Sequence, residues 1–156
     1  MNKLFLISGP CIVENETTPY LIAKTVKPIC DELGIEYIFK ASYRKANRTR
    51  VDSFTGIGDE AALQIIQGIG REFGVKTLTD IHESHEAAMV AAYVDVLQIP
   101  AFLCRQTALL QAAGETGKIV NIKKGQFVSP EAMKYPVEKV LATGNRNVWV
   151  CERGFT

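Results

Sequence analysis

Short apolar runs of β-type composition alternate along the chain with longer segments of helical periodicity. The pattern predicts six strands, at Leu4–Ser8, Glu36–Lys40, Val75–Thr79, Asp95–Ile99, Ile119–Ile122 and Asn147–Cys151. The intervening segments predict five helices, at Thr18–Leu33, Asp59–Phe73, Ser84–Tyr93, Gln106–Gly114 and Pro130–Ala142. Gly34, Gly74 and Gly144 follow three of these helices as predicted C-terminal stops. Such alternation is typical of α/β proteins, in which crossover helices join parallel strands.

Polar and charged residues are concentrated near the C-terminal ends of the predicted strands. They are Cys11, Lys40, Lys45, Asp80, Gln98, Arg105, Lys123 and Arg153. In an open doubly wound sheet, strands about 4.8 Å apart would spread six ends over roughly 24 Å, too far for one small ligand. A barrel places strand ends around a common centre. The pattern therefore favours a (β/α)8 barrel, of which this chain covers about the first six strands.

The chain has no Pro/Gly/Ser-rich linker, so we expect residues 1–156 to form a single domain. A complete barrel has eight β/α units of roughly 30 residues each. Two further units and a closing helix would add about 75–110 residues beyond Thr156. We therefore expect the C-terminal part of the barrel to lie outside this sequence.

Composition and charge exclude several functional classes. The chain is 47% hydrophobic and 22% charged, which is ordinary for a globular protein, and its net charge of +1 argues against sequence-independent nucleic-acid binding. Its apolar stretches are too short for a signal peptide or a membrane span, so we expect a soluble, cytoplasmic protein. The four cysteines have no C-x-x-C spacing, which argues against a disulfide framework or a zinc knuckle.

A basic segment, Phe39–Arg50, carries five cations on a chain of nearly zero net charge. Local cationic density of this kind indicates a phosphorylated small molecule, and a solvated basic loop is the alternative. Lys123 and Arg153 add cations at neighbouring strand ends, where a phosphate or carboxylate is the natural partner. After Gln98, the proline-set turn at Pro100 can present the Ala101 amide to the same anion.

Three other positions keep alternative interpretations. The Cys11 thiol follows a rigid Gly-Pro turn and is a buried structural thiol, a metal ligand or a nucleophile. Asp80 positions a sugar hydroxyl or transfers a proton, unless it is a helix N-terminal carboxylate. We interpret His82 and His85 as ordinary surface or packed histidines, because their spacing is not that of H-E-x-x-H.

Several motifs together resemble the 3-deoxy-D-manno-octulosonate 8-phosphate synthases, also called 2-dehydro-3-deoxyphosphooctonate aldolases, over the whole chain. They are Gly9-Pro10-Cys11, Phe39-Lys40-Ala41-Ser42, Lys45-Ala46-Asn47-Arg48, Thr79-Asp80, the stretch from Leu97 to Thr107, the stretch from Asn121 to Phe127, and Glu152-Arg153-Gly154. The Lys-Ala-Asn-Arg stretch is the most discriminating, because the sister heptulosonate 7-phosphate synthases carry a Lys-Pro-Arg type of motif there.

The resemblance implies condensation of phosphoenolpyruvate with D-arabinose 5-phosphate, with release of phosphate, for lipopolysaccharide (Kdo) biosynthesis. It assigns the phosphoenolpyruvate carboxylate to Lys40 and Lys45, and the phosphate to Lys123, Arg153 and the Ala101 amide. Arabinose 5-phosphate goes to Asn47, Arg48 and Thr49, and Arg105 reaches a neighbouring subunit of a homotetramer. The full predicted substrate-binding set is Lys40, Ser42, Lys45, Asn47, Arg48, Thr49, Gln98, Pro100, Ala101, Arg105, Lys123 and Arg153. The predicted catalytic residues are Lys45, Asn47, Asp80 and Lys123.

The resemblance also implies a divalent metal ion such as Zn, Fe or Mn. Cys11 matches the cysteine ligand of the metal-dependent branch, and the family's other ligands are expected beyond Thr156. Two positions depart from the family pattern: Thr49 replaces a serine, and Arg44 stands where aspartate is common. The alternatives are a heptulosonate 7-phosphate synthase acting on erythrose 4-phosphate and a truncated, non-catalytic phosphosugar-binding module.

Overall fold

A computed structural model describes residues 4–155 of the chain. Residues 1–3 and Thr156, which the predicted 1–156 domain includes, lie outside the described residues. The chain divides into two compact units, one that ends at Thr79 and one that begins at Asp80. The single domain over residues 1–156 stays a prediction. No helix within residues 4–155 is both long enough and apolar enough to cross a membrane.

The first unit is built from three parallel strands and two helices. They are β1 (Phe5–Ser8), α1 (Thr17–Glu32), β2 (Glu36–Lys40), α2 (Asp59–Phe73) and β3 (Lys76–Asp80), whose last residue opens the second unit. β2 pairs in parallel with β1 on one side and β3 on the other. Ile38 and Phe39 of β2 are fully buried, as the apolar run predicts for a strand with neighbours on both sides.

Helix α2 shows how the sequence fixes an element in this unit. Its buried residues Ala62, Leu63, Ile66 and Ile69 recur at helical spacing, so they form one apolar face. Acidic residues occupy its first turn and a basic residue its last, which suits the helix dipole. The helix ends at Gly74, whose left-handed backbone (φ 61°) allows its N–H to bond the Gly70 carbonyl.

The second unit repeats the alternation. Its helices and strands are α3 (Glu86–Ala91), β4 (Val96–Ile99), α4 (Thr107–Glu115), β5 (Ile119–Lys123), α5 (Lys134–Leu141) and β6 (Val148–Cys151), with 3₁₀ turns at Ala101–Leu103 and Glu131–Met133. β5 pairs in parallel with β4 and with β6. All four residues of β4 are buried, which explains its continuously apolar sequence apart from Gln98.

The six strands and five α-helices found within residues 4–155 confirm the predicted order of elements. Two of the predicted helices were too long. The helix predicted at Ser84–Tyr93 is observed only at Glu86–Ala91. The backbone N–H groups of Glu86 and Ala87 donate to carbonyls three residues earlier, so the preceding residues form turns rather than α-helix. Pro130–Ala142 splits into a 3₁₀ turn and α5. Pro136 lies in the first turn of α5, where its missing N–H is tolerated.

Three predicted site residues end strands, and two of them, Asp80 and Lys123, were predicted to lie just past those strands. Lys40 is the last residue of β2, Asp80 the last of β3, and Lys123 the last of β5. Gln98 is the third of four residues in β4, within the predicted strand Asp95–Ile99. Asp80 precedes α3 by several residues, and the helix N-terminal interpretation of its carboxylate was therefore also wrong.

Candidate active site

Two lysines of the first unit converge on one buried hydroxyl group. Lys40 Nζ and Lys45 Nζ each donate a hydrogen bond of 3.1 Å to Ser42 Oγ, and Ser42 is only 1% exposed. The two ammonium groups therefore lie no more than about 6 Å apart, a range in which like charges repel. An anion placed between them relieves that repulsion, which makes this lysine pair a candidate anion-binding site.

The segment after β1 passes very close to the end of β2. A side chain at Gly9 would overlap the backbone carbonyl of Lys40, so glycine is required there. Farther along, the Val13 N–H donates to the Ser42 carbonyl at 3.0 Å. Cys11 lies between these two contacts as an exposed free thiol, so the buried structural interpretation of this cysteine was wrong.

The loop that follows Lys45 is held mainly by its own arginines. Arg48 Nη1 donates to the carbonyls of Val51 and Ser53, at 2.7 and 3.3 Å. Arg50 forms a forked pair with Asp52, which holds the pKa of that carboxyl below its usual value. Guanidinium groups have further donors, so the role of Arg48 as a sugar-phosphate ligand stays a prediction.

Arg44 does not add a loose cation to this loop. Its Nη1 contacts Asp59 Oδ2 at 3.0 Å, and its guanidinium lies over the Tyr43 ring, 5.5 Å from the centroid. Asp59 is the first residue of α2, so the ion pair joins the two ends of the loop. Of the five cations in the basic segment, three arginines thus hold the loop and two lysines meet at Ser42.

In the second unit, Asp80 belongs to a compact cluster of acids around one histidine. His82 Nε2 lies 3.0 Å from Asp80 Oδ2, and His82 Nδ1 lies 3.7 Å from Glu86 Oε2. Glu86 Oε2 also accepts the backbone N–H groups of His82 and Glu83, at 2.8 and 3.2 Å. The side chains of Asp80, His82 and Glu86 are each about nine-tenths buried or more. This arrangement orients the Asp80 carboxylate and makes His82 a packed residue, as one sequence interpretation expected.

A buried amide pair joins the middle of β4 to β5. Asn121 Nδ2 donates to Gln98 Oε1 at 3.2 Å, and the two residues are register partners on the paired strands. Both are more than nine-tenths buried. Each of the two buried amides thus has a hydrogen-bond partner inside the fold. An amide side chain has further donor and acceptor positions, and these can orient a polar ligand.

The turn after β4 has the geometry that the sequence predicted. Pro100 is extended (φ −58°, ψ 151°), and a 3₁₀ turn begins at Ala101. The first residue of such a turn has no acceptor within the turn for its N–H, so the Ala101 amide is a candidate anion donor. Arg105, in contrast, is exposed and lines a cavity of about 420 Å³ together with Phe127 and Tyr135.

Two further cations follow β5 and β6. Lys123 ends β5, where it is the register partner of Cys151 on β6. Arg153 is exposed two residues past β6, and its backbone N–H donates to Glu152 Oε1 at 2.8 Å. The residue after Lys123, Lys124, is fully buried and was not among the predicted site residues.

Of the predicted residues, the structure brings Lys40 and Lys45 together at Ser42. Asn47, Arg48 and Thr49 are exposed on the loop, and Gln98 lies on β4 shortly before the Pro100–Ala101 turn. The other predicted residues, Cys11, Asp80, Arg105, Lys123 and Arg153, lie on separate strand ends and loops. Sequence reasoning missed Glu86, Asn121 and Lys124, all of them buried polar residues. A charged or amide residue beside an apolar run was the available signal for Asn121 and Lys124.

Within residues 4–155, no group of three or more His, Cys, Asp or Glu side chains is arranged to hold a metal ion. Cys11 alone does not make a metal site. The described residues therefore do not by themselves fit the divalent ion that the resemblance implies.

The fold and these side chains define an α/β protein in which two lysines meet at a buried serine and several strands carry buried polar groups. The model of the DAHP synthetase I family matches residues 1–156, and the chain belongs to that family. This membership and the relatives below confirm the predicted fold class, an α/β chain that covers about the first six strands of a (β/α)8 barrel.

Curated relatives that match this chain are named 2-dehydro-3-deoxyphosphooctonate aldolase. The relative from Koribacter versatilis is 52% identical over 152 residues, which cover 97% of this chain and 55% of that protein. The relative from Cyanothece sp. is 53% identical over 96% of this chain and 55% of that protein, and the one from Fusobacterium nucleatum is 51% identical over 99% and 55%. The chain thus spans about half the length of the curated relatives it matches. The resemblance found in its motifs is confirmed.

Proposed function

We propose that this chain is part of a 3-deoxy-D-manno-octulosonate 8-phosphate synthase. The enzyme would condense phosphoenolpyruvate and D-arabinose 5-phosphate with water, giving 3-deoxy-D-manno-octulosonate 8-phosphate and inorganic phosphate. The observation that carries the proposal is the convergence of Lys40 and Lys45 on buried Ser42. This lysine pair, of which Lys45 opens the Lys-Ala-Asn-Arg motif, supports an anion site for the phosphoenolpyruvate carboxylate. The names of the relatives support the same substrates.

In the proposed reaction, carbon 3 of phosphoenolpyruvate forms a bond to the aldehyde carbon of arabinose 5-phosphate. Water adds at carbon 2, and phosphate then leaves with its bridging oxygen. Most of the rate enhancement comes from holding the two substrates in line and from stabilising charge. Lys40 and Lys45 neutralise the carboxylate, while Lys123, Arg153 and the Ala101 amide bind the phosphate that leaves.

Asp80 is the proposed proton-transfer group of the reaction. Its carboxylate is buried and held by His82 at 3.0 Å, so it cannot rotate away from a bound substrate. Gln98 and Asn121 present a fixed amide pair to substrate hydroxyl groups. Asn47, Arg48 and Thr49 bind arabinose 5-phosphate from the exposed loop.

The proposal includes a divalent metal ion such as Zn, Fe or Mn, with Cys11 as one ligand, and the remaining ligands are not among the described residues. We further propose a cytoplasmic homotetramer that binds neither nucleic acid nor membrane. Exposed Arg105, beside the aromatic residues Phe127 and Tyr135, would reach the sugar phosphate of a neighbouring subunit.

The proposal is tested by measuring phosphate release from phosphoenolpyruvate. The assay uses the intact polypeptide as its gene encodes it, with either arabinose 5-phosphate or erythrose 4-phosphate as the second substrate. We expect release that depends on arabinose 5-phosphate and is much slower with erythrose 4-phosphate. Faster release with erythrose 4-phosphate would assign the heptulosonate reaction instead. Calorimetric binding of phosphoenolpyruvate without release in either assay would indicate a phosphosugar-binding module, and absence of both would refute the anion site.

A further inference from the structure

Lys124 is a buried cation for which the proposed reaction has no use. Its side chain is 1% exposed, and its Nζ donates to the carbonyls of Gly154, Val128 and Gly125 at 2.8, 3.2 and 3.3 Å. Nζ also lies 3.3 Å from Glu152 Oε1 and 3.9 Å from the centroid of the Phe155 ring. Burying an ammonium group is costly unless it is fully satisfied, and here carbonyls, a carboxylate and an aromatic face satisfy it.

The contacts of Lys124 join two segments that each carry a proposed phosphate ligand. Lys124 directly follows Lys123, and two of its acceptors belong to its own loop after β5. Its other partners, Glu152 and Gly154, are the two chain neighbours of Arg153. The backbone N–H of Lys124 adds a third bond between the two segments, because it donates to the Cys151 carbonyl at the end of β6 at 2.9 Å.

Glu152 transmits this contact to the backbone around Arg153. Its Oε1 accepts the N–H groups of Gly154 and Arg153, at 2.6 and 2.8 Å. The hydrogen bond from Gly154 contributes most to holding the pKa of the Glu152 carboxyl below its usual value, and the one from Arg153 adds to it. The carboxyl therefore stays ionised opposite Lys124. The Glu152 side chain is itself 58% exposed, which means that its position depends on these partners rather than on packing.

We propose that Lys124 is a positioning residue, which fixes Lys123 and Arg153 at the spacing that a phosphate group needs without touching the phosphate itself. The proposal rests on the proposed function, which assigns those two cations to phosphoenolpyruvate. Two cations that share one anion repel each other when the anion is absent, so an independent tie between their segments is needed to keep the site preformed. A misplacement of about 1 Å can cost on the order of 100-fold in such a site.

Calorimetry with phosphoenolpyruvate and with inorganic phosphate tests this role on the intact polypeptide. Lys124→Met removes the charge and the donors at similar volume, and we expect the Kd for both ligands to rise about 10-fold to 100-fold. Affinity for arabinose 5-phosphate should stay unchanged. Exposed Lys134→Met is the matched control and should bind all three ligands like the wild type. A purely structural role would instead lower the fraction of binding-competent protein and leave Kd unchanged.

Glu152→Gln keeps the test decisive if Lys124→Met fails to fold. The substitution lies at an exposed carboxyl, keeps an oxygen acceptor and removes only the charge opposite Lys124. We expect the phosphate Kd to rise about threefold to tenfold. Wild-type affinity for phosphate in every folded variant of this pair would overturn the positioning role. A wild-type protein that binds neither phosphoenolpyruvate nor phosphate would instead refute the proposed function.

Discussion

The two lysines at Ser42 lead to a prediction in which ligand binding weakens while stability changes little. Lys45→Met removes one of two ammonium groups that share a single hydroxyl oxygen. Without ligand, the variant loses this repulsion together with the Lys45–Ser42 hydrogen bond, and because the two losses oppose each other its stability should change little. With ligand, it loses a charged donor and should bind phosphoenolpyruvate more weakly.

Both magnitudes follow from the geometry. Two unit charges about 6 Å apart repel by roughly 0.7 kcal/mol in water and about 3 kcal/mol at an effective dielectric of 20. The two lysines are partly exposed, so we expect relief of about 1 kcal/mol, which the lost hydrogen bond to Ser42 offsets, and a Tm within roughly 2–4 °C of the wild type. A hydrogen bond to a charged group contributes about 1.5–3 kcal/mol, which corresponds to a loss of affinity of roughly 10-fold to 150-fold.

Differential scanning calorimetry without ligand and isothermal titration with phosphoenolpyruvate measure the two effects. Lys24→Met, at an exposed position on α1, is the matched control and should change neither quantity by much. A Lys45→Met protein with lower Tm and wild-type Kd would show that the lysine is structural. That result would refute the anion site at Ser42.

Three further predictions test the surroundings of the site. Gly9→Ala should lower the free energy of unfolding in urea by about 1–3 kcal/mol, because the added Cβ would overlap a carbonyl at the end of β2. Gly68→Ala is the control: its Cβ would lie in open space on α2, and the substitution should raise that free energy by about 0.5–1 kcal/mol. Burial raises the pKa of Tyr37 to about 12. The free energy of unfolding should therefore fall by about 1–2 kcal/mol as pH rises from about 10 to 12, and this decrease should be absent in Tyr37→Phe. Asp80→Asn should lower kcat by about 100-fold or more in the phosphate-release assay with little change in the KM for phosphoenolpyruvate, whereas exposed His85→Ala should leave both unchanged.

The sign of the tyrosine prediction follows from its neutral form. Below pH 10 the hydroxyl is protonated in both the folded and the unfolded chain, so its contribution to stability is constant. Between about pH 10 and 12 the unfolded chain releases the proton while the folded chain retains it, and stability falls as pH rises. Unchanged slopes in wild type and Tyr37→Phe would mean that the hydroxyl is not buried.

Local patterns were sufficient to predict most of the fold. Apolar runs between glycine stops identified every strand and helix of the described residues, since burial and helix termination are local properties of the sequence. The errors fell where side chains replace regular backbone bonding. The Glu86 carboxylate accepts hydrogen bonds from the backbone N–H groups of His82 and Glu83, just before α3. Neither the burial of Glu86 nor these partners can be predicted from its neighbours in the sequence.

The candidate site was predicted less completely for a similar reason. The basic segment correctly indicated local cations, but their sequence could not show that Arg44 pairs with Asp59 while Lys45 turns toward Ser42. The adjacent lysines after β5 are an equally clear case. Lys123 was predicted as a ligand and Lys124 was assigned no role, yet Lys124 is the buried one, and its partners Glu152 and Gly154 lie about 30 residues farther along the chain.

A competition assay tests the central claim most directly. Phosphoenolpyruvate is incubated with the intact polypeptide and equal concentrations of arabinose 5-phosphate and erythrose 4-phosphate, and the products are separated by mass spectrometry. The account predicts that the eight-carbon sugar acid phosphate dominates and that its formation decreases in the Lys45→Met variant. A dominant seven-carbon product, or an eight-carbon product whose yield is independent of Lys45, would contradict it.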